Sequence, residues 1–322
     1  MRCFRFMKLI SDIKDWFGRI HIGCWRDTAE WRKSVGSVVC RWLASTPIIE
    51  NSTANVMTWQ KAGLVMGIGD GISSGIKTVL CEELAALDED AINPEHLLLA
   101  YALRVRPRNV DAFVAGYDGE TIPYRKHAAS VRFVDTLGMV VPYLHWIGRD
   151  DMAIRQMNEY DCAMWKHIFP AHAYNVKQKL PMGVFDWSRG CGWYILALLE
   201  TSDMDGIKNK VLNLADALLP LQKAGGGYGA FLFNENSRME ASGTAMIGLL
   251  MLLAYDYTQM GVYLDCAKKC EKALMGATRR NGCVDYCQGD TIGIGIYSQT
   301  FSLMPFAQGM TLRLSNCLKR YC

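Results

Sequence analysis

The chain has 322 residues, 50% of them hydrophobic, 21% charged and 11% aromatic. Lysine and arginine total 35 against 32 aspartates and glutamates, a net charge of +3, which fits neither a self-repelling disordered chain nor a dedicated binder of nucleic-acid phosphates. At roughly 100–200 residues per domain the length admits one large domain or two ordinary ones. No composition break or long linker divides the sequence, so a single domain over residues 27–322 is expected, preceded by an N-terminal extension of residues 1–26.

In chain order, Met1–Ile22 interrupts its apolar residues with Arg2, Arg5, Lys8, Asp12, Lys14, Asp15 and Arg19, and it lacks the continuous apolar stretch and small-residue site of an export signal. Met7–Ile20 reads as a short amphipathic helix lying on its own domain. Asp27 with Glu30 makes a capping box that opens a helix over Thr28–Ala44. Apolar residues at helical spacing then mark Met57–Ile68, Gly75–Leu87, Pro94–Val105, Val134–Ile147, Met152–His167, Arg189–Glu200, Ile207–Leu221, Ser242–Tyr257, Gly261–Ala277 and Thr300–Leu318. Pro94 suits the first turn of its helix. Strand-like alternation is best seen in Gly229–Phe233. The longest apolar run, Ala245–Ala254, falls well short of the roughly 20 residues of a membrane-spanning helix.

The twelve cysteines are expected as free thiols in a reducing, cytoplasmic setting, because a chain of this length needs no stapling. Cys266 with Cys270, and Cys283 with Cys287, form two C-x3-C pairs, a spacing looser than most zinc knuckles. No metal is expected.

About a dozen helices in one domain, with no fixed-period repeat, suggest an all-α closed toroid of helical hairpins. In such a toroid inner helices are buried on most sides and outer ones carry a single apolar stripe. Ser242–Tyr257, apolar nearly all round, reads as inner. Ile207–Leu221, with one stripe, reads as outer. Any active site would lie in the funnel at the inner-helix ends. Two glycine-rich stretches, Gly67–Gly71 and Gly225–Gly229, follow helical segments rather than strands, so they read as corners and not as phosphate loops.

Four segments concentrate polar groups against apolar helices. They are Asp90–Ala100, Arg132–Tyr143, His172–Asn175 and Asp186–Glu200. Asp135, at the start of an apolar helix, reads alone as an N-terminal cap. Arg189 and Trp193, four apart, share a helical face and read alone as a stacking pair, although a cation beside an indole also suits a sugar ring or a uronate carboxylate.

Taken in order, these segments resemble the unsaturated uronyl hydrolases of glycoside hydrolase families 88 and 105, which include the unsaturated glucuronyl and rhamnogalacturonyl hydrolases. The resemblance rests on Asp90-Ala-Ile with Leu97-Leu-Leu, on Val134-Asp-Thr-Leu-Gly-Met139, on His172-Ala-Tyr, and on Trp187-Ser-Arg-Gly-Cys-Gly-Trp193. Glu240-Ala-Ser-Gly-Thr244 and Trp59 in Met57–Gly63 join them. It runs from about residue 55 to the end of the chain.

The resemblance implies an (α/α)6 barrel. It implies a glycosidase that removes a terminal unsaturated uronic acid from an oligosaccharide by hydrating its C4=C5 vinyl ether. Asp135 would be the general acid and base, with Asp90 beside it as the second carboxylate raising its pKa. His172, Arg189, Trp193, Trp59 and Asn175 would line the substrate site. Asn175 stands where these families often carry aspartate. The loops between Asp90 and Asp135, and between His172 and Arg189, look shorter than usual. A carboxylic acid and water suffice for the hydration, so no cofactor is expected. The expected partner is an oligosaccharide, with no nucleic acid or membrane, for a monomer or homodimer. The other reading is a catalytically silent glycan-binding or assembly protein, or another sugar-active enzyme, on the same toroid.

Overall fold

A computed structural model describes residues 22–45, 57–164 and 167–321. The helix expected over Met7–Ile20 lies outside the described residues. Among them are twelve α-helices: α1 (Thr28–Ser45), α2 (Thr58–Ile68), α3 (Ser74–Ala85), α4 (Pro94–Leu103), α5 (Arg108–Ala115), α6 (Val134–Trp146), α7 (Asp150–Asp161), α8 (Ser188–Glu200), α9 (Ile207–Leu218), α10 (Ala241–Thr258), α11 (Gly261–Gly276) and α12 (Pro305–Leu318).

The even-numbered helices form a ring. Each packs against the next, α2 on α4, α4 on α6, α6 on α8, α8 on α10 and α10 on α12, and α12 closes onto α2. The odd-numbered helices stand outside, each joined in sequence to an inner one. This is the six-hairpin (α/α)6 barrel. An inner helix touches two ring neighbours and an outer helix, so no face is left for water. Accordingly α6 is buried from Thr136 through Leu144 without a break, and α10 from Ala241 through Leu252. On α9 burial keeps to the stripe Ile207, Val211, Leu214, Ala215 and Leu218.

Ring closure depends on glycine. A Cβ on Gly67 of α2 would sit 2.3 Å from the Gly309 carbonyl oxygen of α12, and one on Gly309 would sit 2.0 Å from the Gly63 carbonyl. The two backbones touch, and only glycine permits it. Gly67 thus belongs to a helix-packing contact. The corner itself is the turn Gly69–Gly71, entered through Gly69 at φ 55°.

Some expected boundaries move. Of the capping box expected at α1, the Asp27 half is present, with the Glu30 N–H donating to Asp27 Oδ1 at 2.9 Å. The helix expected over Thr300–Leu318 begins only at Pro305, because Phe301–Ser302 (β5) pairs with Cys287–Gln288 (β4). Gly229–Phe233 forms no strand, because it bends at Ala230 and turns at Leu232–Phe233; it makes only isolated bridges, Gly229 with Met239 and Phe231 with Trp187. The true strands were not anticipated: β1 (Val131–Phe133), β2 (Ala173–Asn175) and β3 (Leu180–Met182) make an antiparallel sheet in the order β1-β2-β3. Each is three residues long, too short to show a period. The eight-residue α5 was missed for the same reason.

The two small sheets tie together one end of the barrel. β1 runs directly into α6, and the Val134 N–H donates to the His172 carbonyl at 3.0 Å. Trp187, which precedes α8, donates its indole N–H to Gln288 of β4 at 3.0 Å. Glu240, which caps α10, accepts from the Gln288 N–H at 3.2 Å. Trp59 of α2 donates its N–H to Glu95 of α4 at 3.3 Å. The N-terminal ends of the inner helices therefore meet at one end. Among the described residues no helix is long and apolar enough to cross a membrane.

Candidate active site

A cavity of about 320 Å³ opens where those helix ends converge. Trp59 from α2, Asp135 and Met139 from α6, and Arg189 and Trp193 from α8 project into it. The segment Tyr124–Ala128 and the loop Asp290–Gly293 form its rim, with Phe133, His172 and Trp187 in its wall. The helix dipoles of the ring present their positive ends here, which favours an anionic ligand.

The floor is aromatic. Trp59 and Trp193 meet edge to face at 5.7 Å between ring centres, and both pack on Phe306, at 5.2 and 4.7 Å. Trp193 is held by a close helix contact, since a Cβ on Gly138 of α6 would come within 2.7 Å of its ring. The side walls add Phe133, His172 and Trp187, with Tyr297 packed behind them; His172 lies 4.7 Å from Trp187 and 5.9 Å from Phe133. Such flat apolar faces suit the faces of a sugar ring.

Asp135 is the second residue of α6, and Phe133 holds the cap position without a side-chain bond. The reading of Asp135 as a helix cap is therefore set aside. Its Oδ2 is buried and has no hydrogen-bond partner. Burial pushes its pKa up to about 6, and Asp290 and Glu95 add to the rise, while its own backbone N–H and Arg189 oppose it. His172 Nε2 stands 4.0 Å from that Oδ2. His172 is itself buried and its pKa falls to about 4, through burial first and the Arg189 charge second. The imidazole is therefore neutral near pH 7. It adds no positive charge that would drag the Asp135 pKa back down.

Arg189 reaches the cavity but is heavily engaged. Nη1 donates to the Gln288 carbonyl at 2.6 Å and Nη2 to the Gly289 carbonyl at 2.7 Å. Its guanidinium lies 5.3 Å from the ring of Trp187, not of Trp193. The expected Arg189–Trp193 platform is thus divided: the arginine stacks on Trp187 and clamps the root of the 289–300 loop, while the indole joins the floor.

Two expected site residues lie elsewhere. Asp90 sits in an exposed turn and pairs with Lys126 at 3.3 Å, both side chains facing solvent. It lines a neighbouring hollow that shares Tyr124, Arg125 and His127 with the main cavity. The like charge felt by Asp135 comes from Asp290 and Glu95 instead. Asn175 closes a turn, accepting from the N–H groups of Lys177 and Gln178 at 3.1 and 3.0 Å, and takes no part in the cavity wall. His172, Trp59, Trp193, Arg189 and Asp135 are brought together as expected. The two C-x3-C pairs part company: Cys266 and Cys270 face Tyr228 and Gln222, while Cys287 lies against Glu240 and Arg189.

Several contributors escaped the sequence reading. Tyr124 donates its hydroxyl to Glu95 at 2.7 Å, and Glu95 also accepts from the Trp59 N–H, so this carboxylate fixes two wall residues. Tyr297 reaches His172 across 125 positions of sequence. Phe133 and Trp187 stood inside the segments already singled out. Asp290 and Tyr297 flank a glycine–isoleucine stretch that carried no spacing signal.

The profile of glycosyl hydrolase family 88 matches residues 123–321. The chain belongs to that family. The match takes in Asp135, His172, Arg189 and Trp193, and leaves Trp59 and Asp90 outside it. Among solved structures, a possible GH105 member from Salmonella enterica serovar Paratyphi A superposes with a TM-score of 0.71 at 18% identity, covering 92% of this chain and 96% of its own. A family 105 glycoside hydrolase of C. acetobutylicum gives 0.69 at 15% identity, over 87% and 99% of the two chains. The unsaturated glucuronyl hydrolase of Bacillus sp. GL1, responsible for glycosaminoglycan degradation, gives 0.65 at 12%, over 90% and 97%. At these identities the likeness is one of fold. No curated protein matches the chain at a significant level. Membership of family 88 makes the chain a glycoside hydrolase.

Proposed function

We propose that this glycoside hydrolase removes a terminal 4,5-unsaturated uronic acid from lyase-generated oligosaccharides by hydrating the vinyl ether. The observation that carries the reading is Asp135: a half-buried carboxyl whose Oδ2 is buried and unpartnered, with a pKa raised to about 6 and an aromatic cavity in front of it. A carboxyl with a pKa near working pH is protonated often enough to act as an acid and ionised readily enough to act as a base. The converging helix dipoles and the nearby Arg189 supply positive potential for a uronate carboxylate.

In this chemistry Asp135 delivers its proton to C4 and the positive charge develops at C5, shared with the ring oxygen. The Asp135 carboxylate then takes a proton from water as its oxygen bonds to C5. The hemiketal formed at C5 opens to a ketone, which leaves a hemiacetal at C1. That centre expels the aglycone as an alcohol and becomes an aldehyde. One water is consumed. Ordinary glycosidases place a second carboxylate across the glycosidic bond. Here the double bond replaces that need, and the placement of Asp90 in solvent is no obstacle.

The test is the ultraviolet absorbance of the conjugated uronate during incubation with pectic, glycosaminoglycan and bacterial exopolysaccharide fragments made by lyases. Loss of absorbance with the native chain and not with Asp135→Asn supports the reading. An intact spectrum on every fragment, with a folded protein, overturns it in favour of saturated sugars. Because the protonated acid starts the reaction, turnover falls as the pH rises through about 6.

A further inference from the structure

We infer that Tyr297 is a positioning residue that fixes the tautomer of His172, so that a neutral Nε2–H faces the unpartnered oxygen of Asp135. The inference rests on the reaction proposed above for its consequence, and for its substance on hydrogen-bond geometry together with the burial that keeps the imidazole and the phenol uncharged.

The His172 backbone is pinned on both sides: its N–H donates to the Val184 carbonyl at 3.1 Å, and its carbonyl accepts from Val134, the residue before Asp135. The ring is enclosed by Phe133, Trp187 and Tyr297. Its Nδ1 lies 3.1 Å from Tyr297 Oη. That hydroxyl also accepts from the Val184 N–H at 3.4 Å. A phenol has one proton to donate. The Val184 amide can only donate to it, so among the described residues His172 Nδ1 is the acceptor within reach of that proton. Burial raises the Tyr297 pKa to about 12, so the phenol keeps that proton. A neutral imidazole whose Nδ1 accepts must carry its hydrogen on Nε2. Nε2 stands 4.0 Å from Asp135 Oδ2, and catalytic hydrogen bonds of this kind tighten when substrate arrives.

The consequence is specific. Once Asp135 has given its proton to C4, the new carboxylate finds an N–H donor in a wall that is otherwise aromatic, and the donor brings no net charge. In the opposite tautomer a nitrogen lone pair would face the carboxylate and disfavour it. Tyr297 thus decides whether His172 helps or hinders the conjugate base. The other titratable and charged groups around Tyr297, His172 and Asp135 are Arg189 on α8, Asp186 before α8, Glu95 on α4, Tyr160 on α7, Tyr124 on the rim, and Asp290 at the start of the same loop as Tyr297. Of these, Tyr160 gives its hydroxyl to the Ala171 carbonyl and has no hand in the imidazole.

The experiment uses 15N-histidine labelling of the full chain, with His172→Gln to assign the His172 signals, and the variants Tyr297→Phe and Tyr160→Phe. In the native chain at pH 7, His172 should show an unprotonated Nδ1 and a protonated Nε2. Tyr297→Phe should lose that preference, and Tyr160→Phe should retain it. In the absorbance assay Tyr297→Phe should lower kcat about tenfold with KM little changed, and move the falling limb of the pH profile upward, as expected for one lost charge-stabilising hydrogen bond. A native Nδ1–H tautomer, an imidazolium at pH 7, or an unchanged tautomer in folded Tyr297→Phe overturns the inference. Since the spectra need no turnover, they decide the tautomer even if every unsaturated substrate is refused.

Discussion

Two inner helices, α6 and α10, begin with an acidic side chain at the same end of the barrel, and the two carboxylates are treated in opposite ways. Glu240, fully buried, accepts from the Ser242 and Gly243 N–H groups, the Ser242 hydroxyl, the Cys287 thiol and the Gln288 N–H. Every lone pair is directed into the fold, and the residue joins α10 to the strand that carries Arg189's acceptors. Asp135 has its Oδ2 bare and a pKa lifted to about 6. A buried carboxylate saturated with donors stabilises structure. One left short of donors costs stability and gains reactivity.

The comparison can be broken most decisively at Asp135. Asp135→Asn should lower turnover about a thousandfold, the scale of general acid catalysis. Retention of more than a tenth of the native rate in the absorbance assay would move the acid elsewhere. Glu240→Ala should unfold more easily by about 4 kcal/mol at pH 7, because several buried donors are orphaned together. Urea denaturation measures this, and a loss below 1 kcal/mol would mean the cap is dispensable.

The same Asp135→Asn variant should move stability the other way. The folded state raises the Asp135 pKa from 3.8 to about 6 and so binds its proton more tightly than the unfolded chain. The penalty is absent below about pH 4, grows between 4 and 6, and is complete above. Asp135→Asn should therefore be more stable than native by about 3 kcal/mol at pH 8 and by no more than about 0.5 kcal/mol at pH 4. Melting curves at the two pH values check the sign. Gly138→Ala tests whether helix packing alone sets the cavity floor: it should cost about 2 kcal/mol by overpacking, and raise KM as Trp193 is displaced. Lys126→Ala, which frees the solvent-facing Asp90, should change stability by less than about 0.5 kcal/mol.

The separation between legible and hidden follows sequence distance. Helices of ten residues or more show their period, so α6, α8 and α10 were placed within a residue or two and the inner character of α10 was plain. Asp135, His172, Arg189 and Trp193 were found because they sit in compact motifs. Asp90 was misjudged because its motif precedes α4 while its turn folds outward onto Lys126. Arg189 was read by its helical neighbour Trp193. Its real partners are Trp187 and the carbonyls of Gln288 and Gly289, a hundred residues away.

By itself the sequence determined the helical period, the apolar faces of the inner and outer helices, and the short motifs that carry Asp135 and the aromatic floor. Those are local properties, set by spacing of 3.6 residues and by residue type. The tertiary structure decided which carboxylate is satisfied and which is bare, which ring holds which nitrogen, and which like charges press on Asp135. These depend on contacts between residues 37 to 155 positions apart, where burial and a few ångströms set the electrostatics and no local pattern records the outcome.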